Sequence, residues 1–97
     1  MQIQKDIQSQ VLAYLRKSHK GRKKAITSGK LESVFNIKGS EVRRIINELR
    51  CCGHPVCSDN TGYYFAGSKK ELNETIAQLT GRAEKILSAR DGLVCKK

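Results

Sequence analysis

The stretch from Glu41 to Gly53 places the tightest constraint on what this chain can fold into. Its apolar residues recur at helical spacing, at Val42, Ile45, Ile46, Leu49 and Cys52. The pattern predicts an amphipathic helix over residues 41–52, with Cys52 on its buried face. Ser40 is a suitable N-cap, and Gly53 is a suitable stop because glycine readily adopts the left-handed conformation that ends many helices.

Two short runs typical of β-strands follow this helix. Residues 55–58 and 63–66 flank the tetrapeptide Asp59-Asn60-Thr61-Gly62, whose composition favours a turn. The sequence therefore predicts a β-hairpin with a four-residue loop. An isolated hairpin is marginally stable in water, so we expect its apolar face to pack on the helices.

Two further helices are predicted before residue 41. Apolar spacing from Ile3 to Leu15 predicts a first helix that ends near residues 17–18. Residues 25–27 read as a short extended segment. Ser28 then caps a second helix from Gly29 to about Asn36, and its buried stripe is Leu31, Val34 and Phe35.

The last third of the chain predicts one long helix. Ser68 and Glu71 fit a capping box, and the helix is expected to reach residues 88–90. The predicted fold class is α+β, mainly α, with three helices and a hairpin followed by a long C-terminal helix. We expect a domain over residues 1–67, the C-terminal helix over 68–92 and a frayed tail over 93–97.

Charge points to a polyanionic partner. The formal net charge is +10, and residues 1–53 hold twelve basic and four acidic residues. No run of apolar residues approaches the length of a membrane span, and residues 1–6 lack the apolar core of a secretory signal. These features predict a cytoplasmic protein that binds no membrane.

The residues around the hairpin resemble a known family. Leu49-Arg50, Gly53, Val56, Ser58 and Gly62-Tyr63-Tyr64 look like the recognition-helix end and the wing of winged helix-turn-helix domains of the biotin-ligase-repressor type. The stretch LESVFNIKGSEVRRIINELR, residues 31–50, looks like the two helices and turn of that motif. Over residues 5–66 the chain is also similar to small winged-helix proteins encoded by phages and prophages.

The resemblance implies binding to double-stranded DNA, with helix 41–52 in the major groove. Arginine pairs with guanine or phosphate, and asparagine pairs with adenine. The start of the second helix and the basic loop would contact backbone phosphates. Asp59 and the absence of Lys and Arg from the hairpin tip depart from a basic wing. The predicted DNA-binding residues are Lys23, Lys24, Thr27, Ser28, Lys30, Lys38, Ser40, Arg43, Arg44, Asn47, Arg50, Asn60, Thr61 and Tyr63.

Simpler interpretations stay open for these residues. Arg43, Arg44 and Arg50 fit a solvated helix face paired with Glu41 or Glu48, and Asn47 alone would more often face solvent. The basic loop at residues 17–24 also fits a role in solubility. A winged helix presenting this surface to an acidic protein, without specific DNA binding, is the alternative function.

No catalytic or metal site is predicted. Cys51, Cys52, His54 and Cys57 carry metal-ligating groups, but adjacent helical cysteines point about 100° apart. The sequence offers no assembly of nucleophile, base and orienting acid and no phosphate-binding glycine-rich loop. We therefore expect reduced cysteines, no cofactor, no small-molecule substrate and no enzymatic activity.

The last helix carries a heptad-like seam. Residues Leu72, Ile76, Leu79, Ala83 and Ile86 are spaced 4, 3, 4 and 3 apart. The seam predicts a homodimer, which would pair two recognition helices over a repeated half-site, or else packing on the first helix. The function predicted is a DNA-binding protein of phage or prophage type, a transcriptional regulator or an accessory factor in replication or excision.

Overall fold

The computed structural model describes residues 6–95 and confirms the predicted α+β, mainly α, class. Three helices precede a two-stranded antiparallel hairpin, and a long helix follows it. The elements in chain order are α1 (Ile7–Ser18), a 3-10 turn (Arg22–Lys24), α2 (Ser28–Phe35), α3 (Gly39–Cys51), β1 (Val56–Asp59), β2 (Gly62–Phe65) and α4 (Lys69–Val94). Ile3, predicted for the first helix, lies outside the described residues.

The core forms where the apolar faces of α1, α2 and α3 meet the hairpin. Its buried members are Val11, Leu12, Leu15, Ile26, Leu31, Val42, Ile45, Ile46, Leu49 and Val56. Burial of each such side chain contributes roughly 1.5–3 kcal/mol relative to exposure. The predicted apolar spacing of α1 and α3 thus places both helices against one core.

Two residues of the predicted apolar faces are exposed. Val34 is 49% exposed, whereas Leu31 of the same helix is buried and Phe35 packs partly against the core. Cys52 is also exposed, because it follows the last residue of α3 and the chain turns away at Gly53, where φ is +93°. The prediction that Cys52 is a core residue is therefore wrong. The predicted stop at Gly53 agrees with its positive φ.

The helix starts differ from the predicted caps by one or two residues. Thr27, rather than Ser28, caps α2, because its hydroxyl accepts a 3.2 Å hydrogen bond from the backbone N–H of Lys30. Lys38 is the N-cap of α3 and supplies no side-chain hydrogen bond. Ser40 therefore lies inside the first turn of α3, and Ser28 is the first residue of α2.

The hairpin loop has two residues instead of the predicted four. Asp59 pairs with Gly62 across the ladder, which leaves Asn60 and Thr61 at the tip. The Asp59 carboxylate accepts a 2.8 Å hydrogen bond from the backbone N–H of Thr61, and this bond closes the turn. Gly62 supplies the positive φ, +136°, at which the return strand begins.

The extended segment predicted at residues 25–27 is confirmed by its pairing with the hairpin. Ile26 and Tyr63 form an antiparallel bridge on the free edge of β2. The bridge fixes the residue before the Thr27 cap against the hairpin. The start of α2 and the hairpin tip are thereby held side by side.

Helix α4 begins as predicted and extends further. Ser68 caps it by accepting a 3.2 Å hydrogen bond from the Glu71 N–H. It packs on β1 and runs to Val94, beyond the predicted end. Its second half leaves the core, which helps to explain a radius of gyration of 15.7 Å, against about 12.5 Å for a compact chain of this length. Within residues 6–95, no helix combines the length and apolarity needed to cross a membrane.

Candidate nucleic-acid interface

A concave surface lies where α2 begins, between α3, the hairpin and α4, and we call it the basic cleft. Its volume is about 500 Å³. It is lined by Thr27, Ser28, Arg43, Ile46, Asn47, Arg50, Ser58, Asp59, Asn60, Thr61, Gly62, Tyr63, Leu79 and Arg82. Eight of the fourteen predicted DNA-binding residues meet here, although they come from three separate segments of the sequence.

One face of α3 forms the floor of the basic cleft. Arg43, Asn47 and Arg50 follow one another at i, i+4 and i+7, a spacing that aligns side chains along a helix. Arg43 and Asn47 are exposed and form no hydrogen bond or ion pair within residues 6–95. Glu32 is the acidic residue near Arg43, since both flank the position where a Cβ on Gly39 would stand. The two exposed side chains are free to contact a ligand.

Arg44, next to Arg43 in the sequence, is engaged differently. Its guanidinium forms ion pairs with Glu41 at 3.0 Å and with Glu48 at 2.9 Å. The hydrogen bonds to these two carboxylates raise the pKa of Arg44. Arg44 does not line the basic cleft, and its surroundings match the simpler interpretation of a solvated, paired helix face.

Arg50 connects the floor of the cleft to the hairpin. Its Nε donates to the Val56 carbonyl oxygen at 2.8 Å, and its Nη2 donates to the Ser58 hydroxyl at 3.0 Å. The side chain is part-buried, and this burial lowers its pKa. Both hydrogen bonds hold the guanidinium in one orientation at the edge of the cleft.

The acidic residue of the hairpin is paired with neighbouring side chains. Asp59 Oδ1 accepts hydrogen bonds from Thr61, and Asp59 Oδ2 lies 3.0 Å from Arg22 Nε. The Thr61 hydroxyl, then its backbone N–H, and the charge of Arg22 lower the pKa of Asp59. Arg22 also pairs with Glu74 of α4. With Asp59 paired in this way, the three arginines of the cleft dominate its charge.

The remaining predicted residues lie outside the basic cleft. Lys23, Lys24, Lys30, Lys38 and Ser40 are exposed but do not line it. These residues could attract an anion only from the rim of the cleft or from a greater distance. Conversely, Arg82 and Leu79 of α4 line the cleft, and sequence reasoning missed Arg82. No local sequence pattern marks Arg82, because its place in the cleft follows from the packing of α4 on β1.

The predicted seam of α4 divides into two parts. Leu72, Ile76 and Leu79 line a groove of about 260 Å³ together with Pro55 and Val56 of the hairpin. Ala83 and Ile86 lie beyond that groove and are exposed. The first part of the seam is thus only partly covered by the domain, with Ile76 50% and Leu79 36% exposed, whereas the second part faces solvent.

The cysteines are separated by the end of α3. Cys51 and Cys52 are exposed, while Cys57 is fully buried between the hairpin and α4. Burial raises the pKa of the Cys57 thiol. Among residues 6–95, no three His, Cys, Asp or Glu side chains are grouped so that they could hold a metal ion.

Comparison of the chain with protein-family models, with curated proteins and with solved structures finds no match. The functional argument therefore depends on the geometry of the basic cleft.

Proposed function

We propose that this protein binds double-stranded DNA through the basic cleft, with α3 entering the major groove. The observation that carries the proposal is the alignment of Arg43 and Asn47, exposed and without protein partners, along the floor of a cleft that also holds Arg50 and Arg82. Arginine and asparagine are the side chains that read guanine and adenine in that groove. An α-helix fits the groove as a whole.

The surrounding elements support a winged-helix mode of binding. The hairpin tip, with Asn60 and Thr61, forms one wall of the cleft, as a wing would beside a recognition helix. Thr27 and Ser28 place the start of α2 on the same surface, where backbone N–H groups favour a phosphate. In this arrangement α3 reads bases and the two neighbouring elements hold the backbone.

The proposal includes a homodimer formed through the second half of α4. Ile86, Leu87, Leu93 and Val94 are between 48% and 74% exposed. A second copy of the same helix is the simplest cover for this surface, because Ala83 and Ile86 keep the seam spacing and Leu93 lies one heptad after Ile86, with Arg90 at the seam position between them. A dimer would present two copies of α3 to a repeated half-site, as expected for a phage or prophage regulator, or for an accessory factor in replication or excision.

Salt dependence tests whether the cleft binds DNA. Fluorescence anisotropy would measure the affinity for a duplex from an in vitro selection and for random duplexes, from 50 to 300 mM salt. We expect the logarithm of affinity to fall steeply with the logarithm of salt concentration, by about 0.9 for each phosphate contacted. We also expect the selected duplex to bind more tightly than the random pool. Weak binding that salt does not change would contradict the proposal and favour an acidic protein partner.

A further inference from the structure

One wall of the basic cleft is formed by α4, and neither α3 nor the hairpin contributes to it. Arg82 of α4 lines the cleft together with Arg50 of α3, although 32 positions separate them in the sequence. Helix α4 is brought there by its packing on β1, where Thr75 is buried and its hydroxyl accepts a 3.3 Å hydrogen bond from the Ser58 N–H. This contact places Arg82, two turns further along, at the edge of the cleft.

Arg50 and Arg82 line the same cleft, close enough for the charge of Arg82 to contribute to the lowered pKa of Arg50. Within residues 6–95, Arg82 forms no ion pair, and Arg50 donates only to an uncharged carbonyl and a hydroxyl. The single acidic residue of the cleft, Asp59, is held by Thr61 and Arg22. Two like charges that line one cleft repel each other, so an anion placed between them would be bound favourably.

We infer that Arg50 and Arg82 together bind one backbone phosphate of the DNA duplex, which makes α4 part of the DNA-binding surface. The inference rests on the proposed function and adds a contact to it. Arg50 is held by its bonds to the hairpin, whereas Arg82 is exposed and free to close on the phosphate from the opposite side. A contact of this kind positions the duplex against α3 and carries no sequence information.

The test compares Arg82→Ala with Lys85→Ala in the full chain. Lys85 lies one turn further along α4, carries the same charge and does not line the basic cleft. We expect Arg82→Ala to reduce the salt slope by about 1 and to weaken binding several-fold, equally on selected and random duplexes. Arg82→Lys should retain most of the slope, because a phosphate accepts either cation. Lys85→Ala should behave as the wild type.

The outcomes separate this inference from the proposed function. If the wild type binds and Arg82→Ala matches Lys85→Ala, the phosphate contact is wrong while DNA binding by α3 stands. If Arg82→Lys loses as much of the slope as Arg82→Ala, the effect comes from packing and the contact is again wrong. A wild type that binds no duplex overturns both. Circular dichroism and thermal melting confirm that each variant is folded.

Discussion

Ile26 and Tyr63 exchange two backbone hydrogen bonds, each 2.8 Å long, and these bonds fasten the hairpin to the segment that leads into α2. Gly62 lies beside this bridge at a φ of +136°. The approach is so close that a Cβ on Gly62 would stand 2.3 Å from the Ile26 carbonyl oxygen. The width of the basic cleft between α2 and the hairpin tip therefore depends on a glycine at this position.

Gly62→Ala should separate the hairpin from residues 25–27. The new methyl group meets backbone atoms that cannot rotate away, and the positive φ adds strain of about 1–2 kcal/mol. Gly53→Ala is the matched control, because Gly53 has a φ of +93° but open space around its Cα. Urea denaturation should show a clearly larger loss of unfolding free energy for Gly62→Ala. Equal losses would mean that the close approach to Ile26 is unimportant.

Thr75→Val should loosen α4 from the hairpin. Thr75 is 3% exposed, and its hydroxyl accepts from the Ser58 N–H, so valine leaves this part-buried donor without its partner. Such a loss costs about 1–3 kcal/mol. Thr80→Val, on the exposed part of the same helix, is the control and should change stability by less than about 0.5 kcal/mol. Chemical denaturation of both variants measures the difference; similar values would show that this contact does not hold α4.

Acid should weaken the hairpin turn. Hydrogen bonds from Thr61 lower the pKa of Asp59 in the folded protein, so its contribution to stability is complete above the unfolded pKa, near 4. That contribution is lost as the pH falls below about 4 and through the folded pKa. Asp59→Asn keeps an acceptor for the turn and removes the titration. We expect the unfolding free energy of the wild type to fall more steeply than that of Asp59→Asn between pH 4 and pH 2.5, and parallel curves would contradict this.

Ile86→Glu should reduce self-association through α4. The introduced charge lies on the exposed seam, where it would be buried in the proposed homodimer. Ser88→Glu is exposed on the same helix away from the seam and serves as the control. Sedimentation at tens of micromolar should show dimers for the wild type and for Ser88→Glu, but monomers for Ile86→Glu. A monomeric wild type would contradict the homodimer.

The periodic parts of the fold were predictable from the sequence. Burial of Val42, Ile45, Ile46 and Leu49 follows from apolar spacing, because a helix repeats every 3.6 residues and one face must leave water. The capping box at Ser68 was equally clear, and its hydrogen bond is present. Regular spacing and capping hydrogen bonds both depend on residues that lie within a few positions of each other in the sequence.

The differences lie where distant contacts decide the outcome. The length of the hairpin loop depends on the Asp59 carboxylate closing the turn, and the side chain of Arg22, 37 residues away, also holds that carboxylate. Arg82 was missed because its place in the basic cleft follows from how α4 packs on β1, which no local pattern shows.

The most direct test of DNA reading by α3 compares two neighbouring arginines. Fluorescence anisotropy would measure binding of a selected duplex and a random pool by Arg43→Ala, Arg44→Ala and the Arg43→Ala, Asn47→Ala double variant. The account predicts that Arg43→Ala weakens binding to the selected duplex by about 1–3 kcal/mol and that the double variant loses the preference for it. The side chain of Arg44 is paired with Glu41 and Glu48, so Arg44→Ala should change the affinity and the preference for the selected duplex much less. A larger loss in Arg44→Ala than in Arg43→Ala, or an unchanged preference in the double variant, would contradict the assignment of this face of α3.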